Sequence, residues 1–138
     1  MRKILIGIIT VLILGFGYLA FFNAEDTEIK LPNPEKIVEI KMIDVSKNEI
    51  KYEDPEEITR IVEDFSTKIK TEKTSISGTP HIDDWVKITF VQQSKEESIA
   101  YIYEDEGVYY IEQPYVGVWI LEKNPESWIY GHEYEKTP

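Results

Sequence analysis

Residues 54–71 read DPEEITRIVEDFSTKIKT, and this stretch decides what the rest of the chain has to be. Asp54 suits a helix N-cap, Pro55 fits the first helical position because it has no amide to satisfy, and Glu57 falls three residues after the cap as in a capping box. Ile58, Ile61, Val62, Phe65 and Ile69 recur at helical spacing and leave Arg60, Glu63, Asp64 and Lys68 on the wet side. Lys68, Lys70 and Lys73 then suit the negative end of the helix dipole. The pattern predicts one amphipathic helix from Pro55 to Thr71, whose apolar stripe needs a sheet to cover it.

Strands are legible on both sides. Upstream, Ile37, Glu39, Lys41 and Ile43 alternate with Val38, Ile40, Met42 and Asp44, and the pattern resumes at Ile50-Lys51-Tyr52 after a short turn, which predicts a hairpin. Downstream, the segment from Thr74 to Asp84 gathers Ser, Thr, Gly, Pro and Asp and reads as a loop. Trp85–Gln92, Ser98–Glu104 and Val108–Gln113 follow as three strands with tight connections, one through Gly107, and so form an antiparallel meander. Val86, Ile88 and Phe90 share one face. Tyr115–Leu121 is a further strand or an extended cover, and Asn124-Pro125-Glu126 resembles the start of a short C-terminal helix with Trp128 and Ile129 buried. The expected fold is therefore α+β: an antiparallel, curved sheet in β-β-α-β-β-β order with one helix across one face and the other face partly bare. Phe65, Phe90, Trp119 and Trp128 are its expected core.

The N-terminus has a different character. Ile4–Phe22 contains no charge and, as a helix, is ~28 Å long, close to the thickness of a bilayer core. Arg2 and Lys3 precede it while Glu25, Asp26 and Glu28 follow, so the positive-inside bias puts the N-terminus in the cytoplasm and the remainder outside. Residues 1–23 are thus expected to be a transmembrane signal anchor, 24–35 a stalk marked by Pro32 and Pro34, and 36–138 an extracytoplasmic domain. A cleaved signal peptide is the alternative, opposed by the length of the run and by Phe22 and Tyr18 standing where small residues are wanted.

Charge and composition exclude several functions. All 26 acidic residues follow position 24 and 13 of the 15 basic ones do, so the part beyond the apolar run carries −13. Such a domain repels phosphate backbones and anionic headgroups, which excludes nucleic acid as a partner. The absence of cysteine removes disulfides, thiolate metal sites and a cysteine nucleophile. His132-Glu133 begins like the zinc-protease motif, but Lys136 stands where the second histidine belongs. His81, Asp83 and Asp84 are adjacent carriers of ligand atoms without the spacing of a cation loop, and Glu104-Asp105-Glu106-Gly107 reads as a charged hairpin turn. No phosphate-binding glycine loop or nucleophile elbow occurs, and Ser75, Ser77 and Ser127 stand in no recognisable catalytic context. The sequence assigns no catalytic, cofactor or metal residue.

One feature remains. Tyr101, Tyr103, Tyr109, Tyr110, Tyr115 and Trp119 place six large aromatics with polar tips within nineteen residues. Tyrosines bury contact area at small entropic cost, so Tyr101, Tyr103, Tyr110 and Tyr115 are the candidate protein-contact residues; covering the core with the hydroxyls in water is the competing role. The run YYIEQPYVGVW at 109–119, with the anchor, the early Leu31-Pro32 and a helix preceding a meander, resembles a family of uncharacterised membrane-anchored extracytoplasmic domains of Gram-positive bacteria over about residues 30–122. The resemblance implies the architecture and carries no catalytic residues. The functional expectation is a tethered binding or accessory module that contacts another membrane or envelope protein, or a peptide. A small envelope hydrolase and an immunity or inhibitor protein are the alternatives.

Overall fold

In the computed structural model, residues 28–131 are described. The expected anchor at 1–23 and the His132 motif lie outside them, as does the first part of the stalk. Among the described residues no helix is long and apolar enough to cross a membrane.

After a 3-10 turn at Pro34–Lys36, seven strands and two helices follow: β1 (Ile37–Asp44), β2 (Glu49–Tyr52), α1 (Pro55–Ser66), β3 (Lys68–Lys70), β4 (Val86–Gln92), β5 (Glu97–Asp105), β6 (Val108–Gln113), β7 (Gly117–Leu121) and α2 (Glu126–Ile129). They form one sheet in the order β2-β1-β4-β5-β6-β7-β3, antiparallel at every pairing. The β1–β2 hairpin and the β4–β5–β6 meander stand where the alternation put them. The segment from 115 forms a strand and not a cover, because Gly117–Leu121 pairs with β6 on one side and β3 on the other.

The helix departs from the sequence reading at its far end. It begins as expected, with the Asp54 carboxylate accepting the Glu57 amide, but stops at Ser66 and not at Thr71. The Ser66 and Thr67 hydroxyls donate back to the carbonyls of Val62 and Glu63, Thr67 turns extended, and Lys68-Ile69-Lys70 pairs with β7. Hydroxyl side chains compete with the helical ladder in this way, and an unclaimed strand edge offers the backbone a better alternative. Ile69 therefore leaves the apolar stripe and is 54% exposed, and no basic residue lies in the last turn of α1.

The sheet order dictates how its two faces are covered. α1 starts at the β2 edge and delivers the chain to β3 at the other edge, so it crosses one whole face. Ile58, Ile61, Val62 and Phe65 meet Ile40, Met42, Ile88, Phe90, Ile102 and Ile111 in a single core, joined by Trp119, Trp128 and Ile129. From β3 the chain must return past β7, β6 and β5 to reach β4, a traverse of about 19 Å at the usual strand spacing. The loop 71–85 makes that traverse across the opposite face. The second face over β5–β7 is consequently not bare, which corrects the expectation of an uncovered surface there.

Candidate functional site

The surface beneath this return loop is built by the period-two geometry of three strands. Tyr101 and Tyr103 on β5, Tyr110 and Glu112 on β6, and Val118 and Ile120 on β7 all point away from the helix, and the register sets Tyr101 beside Glu112, Tyr103 beside Tyr110, and Glu112 beside Val118. The loop is fastened to them at several points. Trp85 packs edge-on against Tyr101 with ring centroids 5.1 Å apart. The Ser75 hydroxyl donates to Glu112 Oε1 at 2.7 Å and accepts the Tyr115 amide at 3.0 Å. Thr71 donates both its amide and its hydroxyl to the Val118 carbonyl.

The four candidate contact tyrosines are therefore treated differently. Tyr101 and Tyr103 are buried, at 5% and 8% exposure. Tyr110 is half-buried and stacks on Tyr103 at 5.5 Å, with the Lys73 ammonium 4.0 Å above its ring. Tyr115 is 72% exposed. It stands third in a turn closed by the Val116 amide on the Gln113 carbonyl, after Pro114, at φ +61°. Glycine or asparagine normally fills that left-handed position, and a larger L-residue there is strained. From the sequence, Lys73 was assigned to the end of the helix dipole, Ser75 had no recognisable context, and Glu112 was given no role. Glu112 left one trace, as the only charged residue of β6.

Two adjoining hollows open beside the loop. The larger, about 600 Å³, lies between residues 70–75 and the 115–119 stretch. The smaller, about 320 Å³, is lined by Tyr103, Glu112 and Val118, with Lys73, His81 and Asp105 among the groups around it. Burial first, and then the Glu112 charge beside it, pushes the Tyr103 phenol well above the usual tyrosine range. Burial and the same carboxylate also raise Tyr101. Both phenols stay protonated at neutral pH. Lys73 is held by Asp105 at 3.5 Å.

No activated nucleophile emerges here. His81 Nε2 lies 3.2 Å from Ser77 Oγ, but that hydroxyl donates its only proton to the Thr79 carbonyl at 2.6 Å. The imidazole can then only donate to the oxygen, whereas a general base must accept from it. Among the described residues no group of three His, Asp or Glu is placed to hold a metal ion. The acidic turn after β5 is the charged hairpin the sequence suggested, with Glu106 at φ +52° and Gly107 at φ +79°.

A family model described as "Domain of unknown function (DUF5300)" matches residues 25–120 under the name DUF5301. The chain belongs to the DUF5301 family. The match spans the sheet from β1 almost to the end of β7 and so includes the loop-covered face, and it accords with the uncharacterised family that the sequence resembles. The fold of this DUF5301 domain is similar to the NMR structure of a protein from Ruminococcus gnavus, at 30% identity and a TM-score of 0.60, covering 70% of this chain and 93% of that one. No curated protein matches the DUF5301 chain.

Proposed function

We propose that this chain is a membrane-tethered extracytoplasmic binding module that captures a protein or peptide of the envelope at the hollows beside the return loop, with Tyr115 as the leading contact. The supporting observation is the placement of Tyr115: a large, mostly exposed aromatic side chain at a left-handed backbone position where glycine or asparagine is less strained. Strain that no core contact repays points to a role outside the fold. Exposed tyrosines beside concave surfaces are typical anchors of protein interfaces. The apolar run at 4–22, with its flanking charges, supports the tether and the outward orientation.

Crosslinking in native membranes, followed by identification of what co-purifies, tests the reading. Tyr115→Asn suits the turn and should leave the melting temperature unchanged or slightly higher while weakening partner capture by tenfold or more, as loss of a contact worth about 2 kcal/mol implies. Undiminished capture by Tyr115→Asn, or a preparation that recovers no partner at all, refutes it.

A further inference from the structure

Glu112 is a carboxylate that is only 5% exposed, and among the described residues no lysine, arginine or histidine nitrogen lies within 4 Å of it. Its hydrogen-bond partner, the Ser75 hydroxyl, is neutral, as is the neighbouring Tyr103 phenol. Buried charges in proteins are ordinarily paired with an opposite charge, since hydroxyl donors offset only part of the lost hydration. This one stands instead at the wall of a hollow of about 320 Å³, a space large enough for a side chain.

The same hollow shows what kind of group its walls attract. Lys73, a primary ammonium, sits over the Tyr110 ring and against the Asp105 carboxylate, the combination of aromatic face and anion that suits a cation. Tyr103 and Glu112, which also line the hollow, set an aromatic ring and a carboxylate side by side a second time. The charge of −13 beyond the apolar run reinforces the potential that draws cations toward such a cleft. A divalent metal is a poorer fit, because it wants more oxygen ligands than Glu112 and Asp105 supply.

We infer that the smaller hollow is a recognition pocket for a primary ammonium, the side chain of a lysine on the captured peptide or protein, with Glu112 as its anionic partner and the Tyr103 ring as its aromatic wall. This deepens the binding reading above and rests on it for the identity of the ligand as a peptide.

The test uses the full chain in detergent micelles, with backbone amide shifts of Ser75, Tyr103 and Glu112 followed during titration with acetyl-lysine amide. Saturable shifts at these three amides are expected, with none from the neutral analogue acetylated at Nε. Glu112→Gln keeps an acceptor for Ser75 but removes the charge, so it should weaken the probe roughly ten- to a hundredfold while the unliganded melting temperature does not fall. If Glu112→Gln fails to fold, Lys73→Met carries the test, because removing the resident ammonium should leave probe affinity equal or higher. Equal binding of the neutral analogue, unchanged affinity in Glu112→Gln, loss of binding in Lys73→Met, or calcium displacing the probe from the same amides would each overturn the inference. The two readings fail separately: partner capture that survives Glu112→Gln sinks the ammonium pocket alone, whereas probe binding without any captured partner sinks the module.

Discussion

Single side chains tie distant segments together, and Asp64 does so with both of its oxygens. Lys123 Nζ donates to one and the Trp128 indole to the other, each at 2.8 Å. Burial alone pushes this carboxyl upward, but the two donors outweigh it and hold it below its usual range. Because the folded value is depressed, the stabilisation is present above the unfolded pKa of about 3.9 and is lost as pH falls through the folded value. Asp64→Asn should therefore cost about 1–2 kcal/mol at neutral pH and progressively less below pH 4, a convergence that denaturant melts of the two proteins at a series of pH values will measure. The sequence put Asp64 on the wet side of the helix, and its exposed flank agrees. Its partners could not be read, because Lys123 and Trp128 lie some sixty positions away and hydrogen bonds of that span leave no periodicity. Asp54 and Gly107 were legible for the opposite reason: a cap and a positive φ are fixed by immediate neighbours.

Elements long enough to express a period were legible, and the others were not. α1 repeats its apolar positions over three turns, and β4 alternates into the core through Val86, Ile88 and Phe90, all buried. β3 has three residues, too few to show period two, and its isoleucine sat at a spacing that also continued the helix. What distinguishes strand from helix there is the free edge of β7, a tertiary fact. The helix register itself is open to measurement. Phe65 is fully buried against the sheet, so Phe65→Ala should lower stability by about 3–5 kcal/mol, while Ile69→Ala, at an exposed position, should lie within about 0.5 kcal/mol of the parent. Comparable losses from the two substitutions in chemical denaturation would return Ile69 to the apolar stripe. The candidate site was legible only as a bias in composition. The tyrosines were visible, but which of them the loop covers depends on a strand order that sequence neighbours do not encode.

At the scale of the whole molecule the chain covers its own sheet, with α1 across one face and the return loop across β5–β7 of the other, so the hydrophobic core closes within the described residues 28–131. A fragment from residue 28 onward should consequently fold alone, with a single melting transition that calorimetry and circular dichroism report at the same temperature; two transitions would show that the loop-covered half is a separate unit. The entry of the chain into this body is also fixed. Gln113, buried at the end of β6, accepts the Lys30 amide with its side-chain oxygen and donates its side-chain nitrogen to the Lys30 carbonyl, both at 2.9 Å, while Ile29 enters the core. Seven residues later the chain becomes β1, which is flanked by β2 and β4. A pull on the N-terminal segment thus meets a two-bond latch and then an interior strand laddered on both sides. Tension from that end is borne by a strand paired on both sides and does not peel a free edge, which gives the domain a grip suited to being held by its leading end.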